Sequence, residues 1–171
     1  INKMGGKAVM WKTGHSLIKD KMQELNAPLA GELSGHIFFA DKYYGFDDAL
    51  YCSVRLLNAL SKADGGLSSL TSHLPVLFNT PELRIEVNEA EKFELVPRVF
   101  ESLKAQANDN AELDDIDGVR VSTPDGWWLL RPSNTQDVLV ARVEASSEEG
   151  LQRLKNMAGE EVKKIGYTLQ F

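Results

Sequence analysis

Val119-Arg120-Val121-Ser122-Thr123-Pro124-Asp125-Gly126-Trp127-Trp128-Leu129-Leu130-Arg131 decides the fold of the second half of this chain. Gly118 to Thr123 and Trp127 to Arg131 are strand-like, and Pro124-Asp125-Gly126 between them is turn chemistry. That combination predicts a hairpin. Neighbouring side chains alternate across a strand, so one of Trp127 and Trp128 is expected in the core and the other over a surface or interface. A third strand is predicted from Asp137 to Ala145, with Leu139, Ala141 and Val143 on one face. Upstream, Leu83 to Val87 alternates as a half-buried strand. Glu89 to Ala107 reads as a helix with apolar Phe93, Val96, Phe100 and Leu103, which Pro97 is expected to kink or to fix in its first turn. Asn108 to Asp115 reads as a polar loop. Ser146-Ser147-Glu148-Glu149 has the form of a capping box. It opens a helix whose apolar stripe is Leu151, Leu154, Ala158, Val162 and Ile165. The expected result over 83–171 is a small α+β domain, an antiparallel sheet with two helices on one face.

The first half reads differently. Ala8 to Trp11 is a short buried strand by pattern, and Thr13 to Asn26 a helix with apolar Leu17, Ile18, Met22 and Leu25, stopped by Pro28. Leu29-Ala30 leads into a Gly31–Gly35 turn, and Ile37-Phe38-Phe39 is a strand. A long helix is expected to run to about Lys62, with Asp47 as its N-cap and Leu50, Val54 and Leu57 as its buried stripe. Leu67 to Leu74 is a short helix. Residues 1–78 therefore read as a partial α/β domain, a mixed sheet with flanking helices, too short to be complete. Asn79-Thr80-Pro81 is turn-forming, so 79–82 is expected to be a hinge between the two domains.

Composition narrows the function. Among 171 residues the formal net charge is −6, which argues against a nucleic-acid binder but not against a local anion site. The single cysteine, Cys52, excludes an intrachain disulfide and suits a reducing, cytoplasmic compartment. No apolar run is long enough for a membrane span and no signal peptide is visible. The chain opens Ile1-Asn2-Lys3, as expected of a fragment or a processed product.

Two stretches carry the chemistry. Arg131-Pro132-Ser133-Asn134-Thr135-Gln136 combines a guanidinium fork, two hydroxyls and an amide on a tight turn. That set suits a phosphate dianion, through bidentate arginine contacts and a nest of turn amides. In Gly31-Glu32-Leu33-Ser34-Gly35-His36, a carboxylate and a hydroxyl two residues apart suit adjacent sugar hydroxyls. A water-facing surface turn is the simpler alternative. Lys12-Thr13-Gly14-His15 lies at a helix start, which favours anions; a capping or half-buried histidine is the rival reading. A zinc site from His15, Glu32 and His36 lacks a ligand-spacing signature. Asp114 to Gly118 lacks calcium-loop spacing and reads as a solvated loop. Cys52 and His73 read as structural. Tyr43 to Asp48 is either a helix start and core or a wall beside the Glu32 loop.

Taken together, Lys12 to His15, Gly31 to His36, Gly45 to Asp48 and Arg131 to Thr135 resemble the α-D-phosphohexomutases, the bacterial phosphomannomutase/phosphoglucomutase branch above all. The resemblance runs through essentially the whole chain and implies most of the third and all of the fourth of the family's four domains. It implies that Glu32 and Ser34 grip two sugar hydroxyls. It implies that Arg131, Ser133, Asn134 and Thr135 hold the substrate's non-reacting phosphate. His15 and His36 would line the cleft, with His15 nearer the reacting end and offering acid/base assistance. The implied reaction moves phosphate between the 1 and 6 positions of a hexose, through a phosphoserine and a hexose 1,6-bisphosphate intermediate. The family's phosphoserine loop and its magnesium loop, of the type Asp-Gly-Asp-Gly-Asp-Arg, have no counterpart here. Mg2+ is thus expected only in a parent enzyme, with no metal ligand in this chain, and the chain alone is expected to be inactive. Its expected partners are a phosphohexose and the N-terminal domains of the same protein, with no nucleic acid and no membrane. The rival readings are a stand-alone phosphosugar-binding or regulatory module, and a phosphoglucosamine mutase, which Leu33 and Asn134 fit less well.

Overall fold

The computed structural model describes residues 1–106 and 110–171. The chain divides into two compact units, Ile1–Pro75 and Val76–Phe171. The predicted helix end at Ala107 and part of the predicted 108–115 loop lie outside the described residues.

The first unit holds α1 (His15–Leu25), β1 (Leu29–Gly31), β2 (Ile37–Phe39), α2 (Ala49–Leu60) and α3 (Leu67–Thr71). Its sheet is the antiparallel hairpin β1–β2, in register Leu29 to Phe39 and Gly31 to Ile37. Asn26, in the left-handed region, ends α1 just before Pro28. Ile18, Met22 and Phe38 form its small buried core. Three expectations are corrected here. Residues 8–11 are not a buried strand: they form no regular element, and Val9, Met10 and Trp11 are exposed. A strand needs a hydrogen-bonded neighbour, and none of the described strands pairs with them. The stripe on α2 is not buried either, since Leu50, Val54 and Leu57 are 82%, 61% and 64% exposed. No layer within this unit covers that face. The N-cap of α2 is Asp48, not Asp47: the Asp48 side chain accepts from the Tyr51 amide at 2.9 Å.

The second unit holds β3 (Phe78–Asn79), β4 (Leu83–Glu86), α4 (Lys92–Ala105), β5 (Glu112–Asp114), β6 (Val119–Thr123), β7 (Gly126–Pro132), β8 (Val138–Ala145) and α5 (Glu148–Lys164). Strand order is β3-β8-β7-β6-β5, with β4 beside β3 on the same edge of β8, all antiparallel. The predicted hairpin is β6–β7, with Val121 opposite Trp128. Trp128 goes to the core, as do Leu139, Ala141 and Val143, and α4 and α5 pack on that face with Val99, Leu154 and Val162. Ser147 caps α5 by accepting from the Gly150 amide at 3.0 Å. Glycine stands at the third helical position, so the reciprocal carboxylate half of a capping box is missing. Two strands escaped the sequence pattern. Glu112–Asp114 pairs with β6, and Asn79, within the expected 79–82 hinge, pairs with Glu144. Thr80 is buried, and its backbone and hydroxyl both bond to Val143. The compact units divide at Pro75/Val76. No helix among the described residues is long and apolar enough to cross a membrane.

Candidate functional site

In the first unit, the β1–β2 turn carries Glu32 and Ser34. It closes through Glu32 N–H to the His36 carbonyl (2.9 Å) and Gly35 N–H to the Glu32 carbonyl (3.0 Å). Gly35 has φ 93, which explains glycine there. Glu32 does not simply face water: one carboxylate oxygen accepts from the Gly14 amide at 2.9 Å, the other from the Ser34 hydroxyl at 3.1 Å. The carboxylate thus ties the turn to the start of α1, where Gly14 has φ 132. That contact sets His15 beside the hairpin.

His15 and His36 meet edge to face, with ring centroids 4.4 Å apart, and His15 also packs edge-on against Phe38. Asp47 joins them. Its backbone bridges Phe38, and its Oδ2 lies 2.6 Å from His36 Nδ1 and 3.5 Å from His15 Nε2. A carboxylate only accepts, so His36 donates to Asp47 from Nδ1. The neighbouring Asp48 serves structure instead. Tyr43 donates to it at 2.5 Å, and that bond, with the Tyr51 amide next, holds its carboxyl below the usual carboxylate range. The sequence placed Gly45 to Asp48 in a motif but gave the wrong aspartate the cap.

In the second unit, β7 ends at Arg131-Pro132 and the chain turns back into β8. Ser133 N–H donates to the Val138 carbonyl at 2.9 Å, closing the loop. The buried Ser133 hydroxyl accepts from the Thr135 and Gln136 amides at 3.3 and 3.2 Å. Those two amides are therefore engaged within the loop, which corrects the expectation of a nest of turn amides facing an anion. Asn134 and Thr135 are exposed at the tip. The Arg131 side chain is mostly buried, with Nε 3.9 Å from Asp117 Oδ2. Gly118 makes that approach possible: a Cβ there would lie 2.4 Å from the Leu130 carbonyl oxygen and 2.6 Å from Arg131 Cβ. From the other side, Lys92 Nζ donates to the Gln136 carbonyl (3.0 Å) and to Asp137 Oδ1 (3.1 Å). Arg84 donates to the Gln136 side chain. Sequence reading missed Lys92 and Asp117. The signal for Lys92 was present, since it falls on the same helical stripe as Leu95, Val96 and Val99.

A hydroxyl- and amide-lined hairpin tip with an arginine at its base, and a glutamate–serine turn beside two histidines, are the features to compare with known proteins. The family description "Phosphoglucomutase/phosphomannomutase, alpha/beta/alpha domain III" matches residues 1–78, and "Phosphoglucomutase/phosphomannomutase, C-terminal domain" matches residues 82–160. The chain belongs to the phosphoglucomutase/phosphomannomutase family. It is 44% identical to a phosphomannomutase/phosphoglucomutase of Pseudomonas putida, over 99% of this chain and 36% of the relative. It is 44% identical to a phosphoglucomutase of Neisseria gonorrhoeae, over 91% of this chain and 34% of the relative. A crystal structure of a phosphoglucomutase/phosphomannomutase family protein from Burkholderia thailandensis matches with TM-score 0.85 and 43% identity, over 99% of this chain and 36% of that one. The chain thus spans about a third of the length of these relatives. In this family, mutases are isomerases of carbohydrate metabolism.

Proposed function

We propose that this chain is the C-terminal part of a cytoplasmic phosphohexomutase that interconverts hexose 1-phosphate and 6-phosphate, glucose and mannose being the sugars. Glu32 and Ser34 bind two sugar hydroxyls. Arg131, Ser133, Asn134 and Thr135 bind the phosphate that does not react. His15 and His36 serve the cleft, where an imidazole lone pair takes or returns a hydroxyl proton. The phosphoserine and Mg2+ that transfer the other phosphate belong to domains outside this sequence, and a hexose 1,6-bisphosphate is the intermediate.

One observation carries the reading: the two family descriptions together cover residues 1–78 and 82–160, and both motif loops fall within them. The geometry supports it with a guanidinium held at the base of a hydroxyl-bearing loop. Arginine forks match phosphate oxygens, and charge-assisted hydrogen bonds are the strong ones. Arg131→Ala in the full-length enzyme should cost roughly 1.5–3 kcal/mol of phosphosugar binding, about a ten- to hundredfold loss of apparent affinity for glucose 1-phosphate. A loss below about twofold in steady-state kinetics counts against the role.

A further inference from the structure

Two of the chain's three histidines sit in one cluster with a carboxylate. His15, His36 and Asp47 each offer a ligand atom, and these atoms lie within 4.8 Å of one another. His15 Nε2 and His36 Nδ1 both approach the same oxygen, Asp47 Oδ2, at 3.5 and 2.6 Å. The three residues come from the start of α1, the residue immediately before β2 and the segment bridged to Phe38. Backbone hydrogen bonds therefore fix their approach.

We propose that His15, His36 and Asp47 form a binding site for a divalent d-block cation such as zinc. Zinc–ligand distances of about 2.0–2.2 Å place neighbouring tetrahedral donors about 3.3–3.6 Å apart. The His15–Asp47 separation already fits that value. The His36–Asp47 pair must open by less than about 1 Å, and its side chains, 44% and 27% exposed, leave room for it. The proton on His36 Nδ1 leaves to solvent, and its lone pair goes to the ion. Two imidazoles and one carboxylate suit zinc, cobalt or nickel, whereas magnesium and calcium require oxygen donors. Three protein ligands with an open, solvent-facing side leave positions for water. The carboxylate is Asp47 and not Glu32, whose oxygens are engaged by Gly14 and Ser34. Occupancy withholds both imidazoles from a phosphosugar, a consequence that rests on the function proposed above.

The test is calorimetry on the 171-residue chain with zinc chloride alone, paired with imidazole NMR. One equivalent should bind in the micromolar range and shift the His15 and His36 resonances. His15→Gln and Asp47→Asn should each weaken binding at least about tenfold. His73→Ala and Cys52→Ser should leave it unchanged, and millimolar magnesium should not compete. The proposal is overturned by the absence of one-to-one binding, by wild-type affinity in Asp47→Asn, or by loss of binding in Cys52→Ser. None of these readouts involves phosphosugar binding, so a failure of the mutase reading leaves the metal test intact.

Discussion

Asp47 and Asp48 show how one residue's difference in register separates chemistry from structure. Asp47 bridges Phe38 and turns its carboxylate to both histidines. Asp48 faces the other way, capping α2 and accepting from Tyr43. Its carboxyl is held below the usual range, chiefly by the Tyr43 hydroxyl. A depressed carboxylate adds stability that is present above its unfolded-state pKa and lost as pH falls through the folded-state value. Asp48→Asn should therefore lower the melting temperature near neutrality, and the gap from wild type should shrink below about pH 4. Thermal melts followed by circular dichroism measure this; a gap that is constant down to about pH 3 contradicts it. At this scale the residue types were legible in the sequence as two separate loops, Glu32 to His36 and Arg131 to Thr135. The partner of each was not, because Gly14 reaches Glu32 and Asp117 reaches Arg131 only through contacts between separate segments.

Among the elements, the β7–β8 loop is a hairpin fixed from outside. Lys92, only 4% exposed, holds its far stem from the first turn of α4. Replacing an ammonium in an apolar setting by a hydrocarbon of similar length is often neutral for stability, and its carboxylate partner Asp137 stays solvated. Lys92→Met should thus change global stability by less than about 1 kcal/mol, while amide exchange at Gln136 and Asp137 rises roughly tenfold. Unchanged exchange assigns Lys92 no part in ordering the loop. The cap of α5 is a cleaner energetic case. Ser147→Ala removes the acceptor for Gly150 N–H and should cost about 1 kcal/mol, read from the urea midpoint at constant slope. Helices and hairpins were legible here because their periodicity and turn residues are local. The strands Phe78–Asn79 and Glu112–Asp114 were not, since each is short and exists only by pairing with β8 or β6.

Over the whole molecule, the two units differ in how completely their apolar residues are covered. The second buries a continuous core between sheet and helices. The first buries Ile18, Met22 and Phe38 and leaves the apolar face of α2 exposed. The same division bears on activity. Phosphoryl transfer needs a nucleophile and neutralised charge, which the function proposed above assigns to domains outside this sequence. The isolated chain should show no interconversion of glucose 1-phosphate and 6-phosphate in a coupled assay. Turnover that survives repurification and scales with chain concentration sinks that expectation. Sequence alone determined the β6–β7 hairpin and the main helices, because each is written in a contiguous segment. The tertiary structure alone decided that Asp47 joins the histidines and that Thr80 bonds to Val143 of β8. Those outcomes depend on strand register and loop closure, which bring together residues that no local pattern relates.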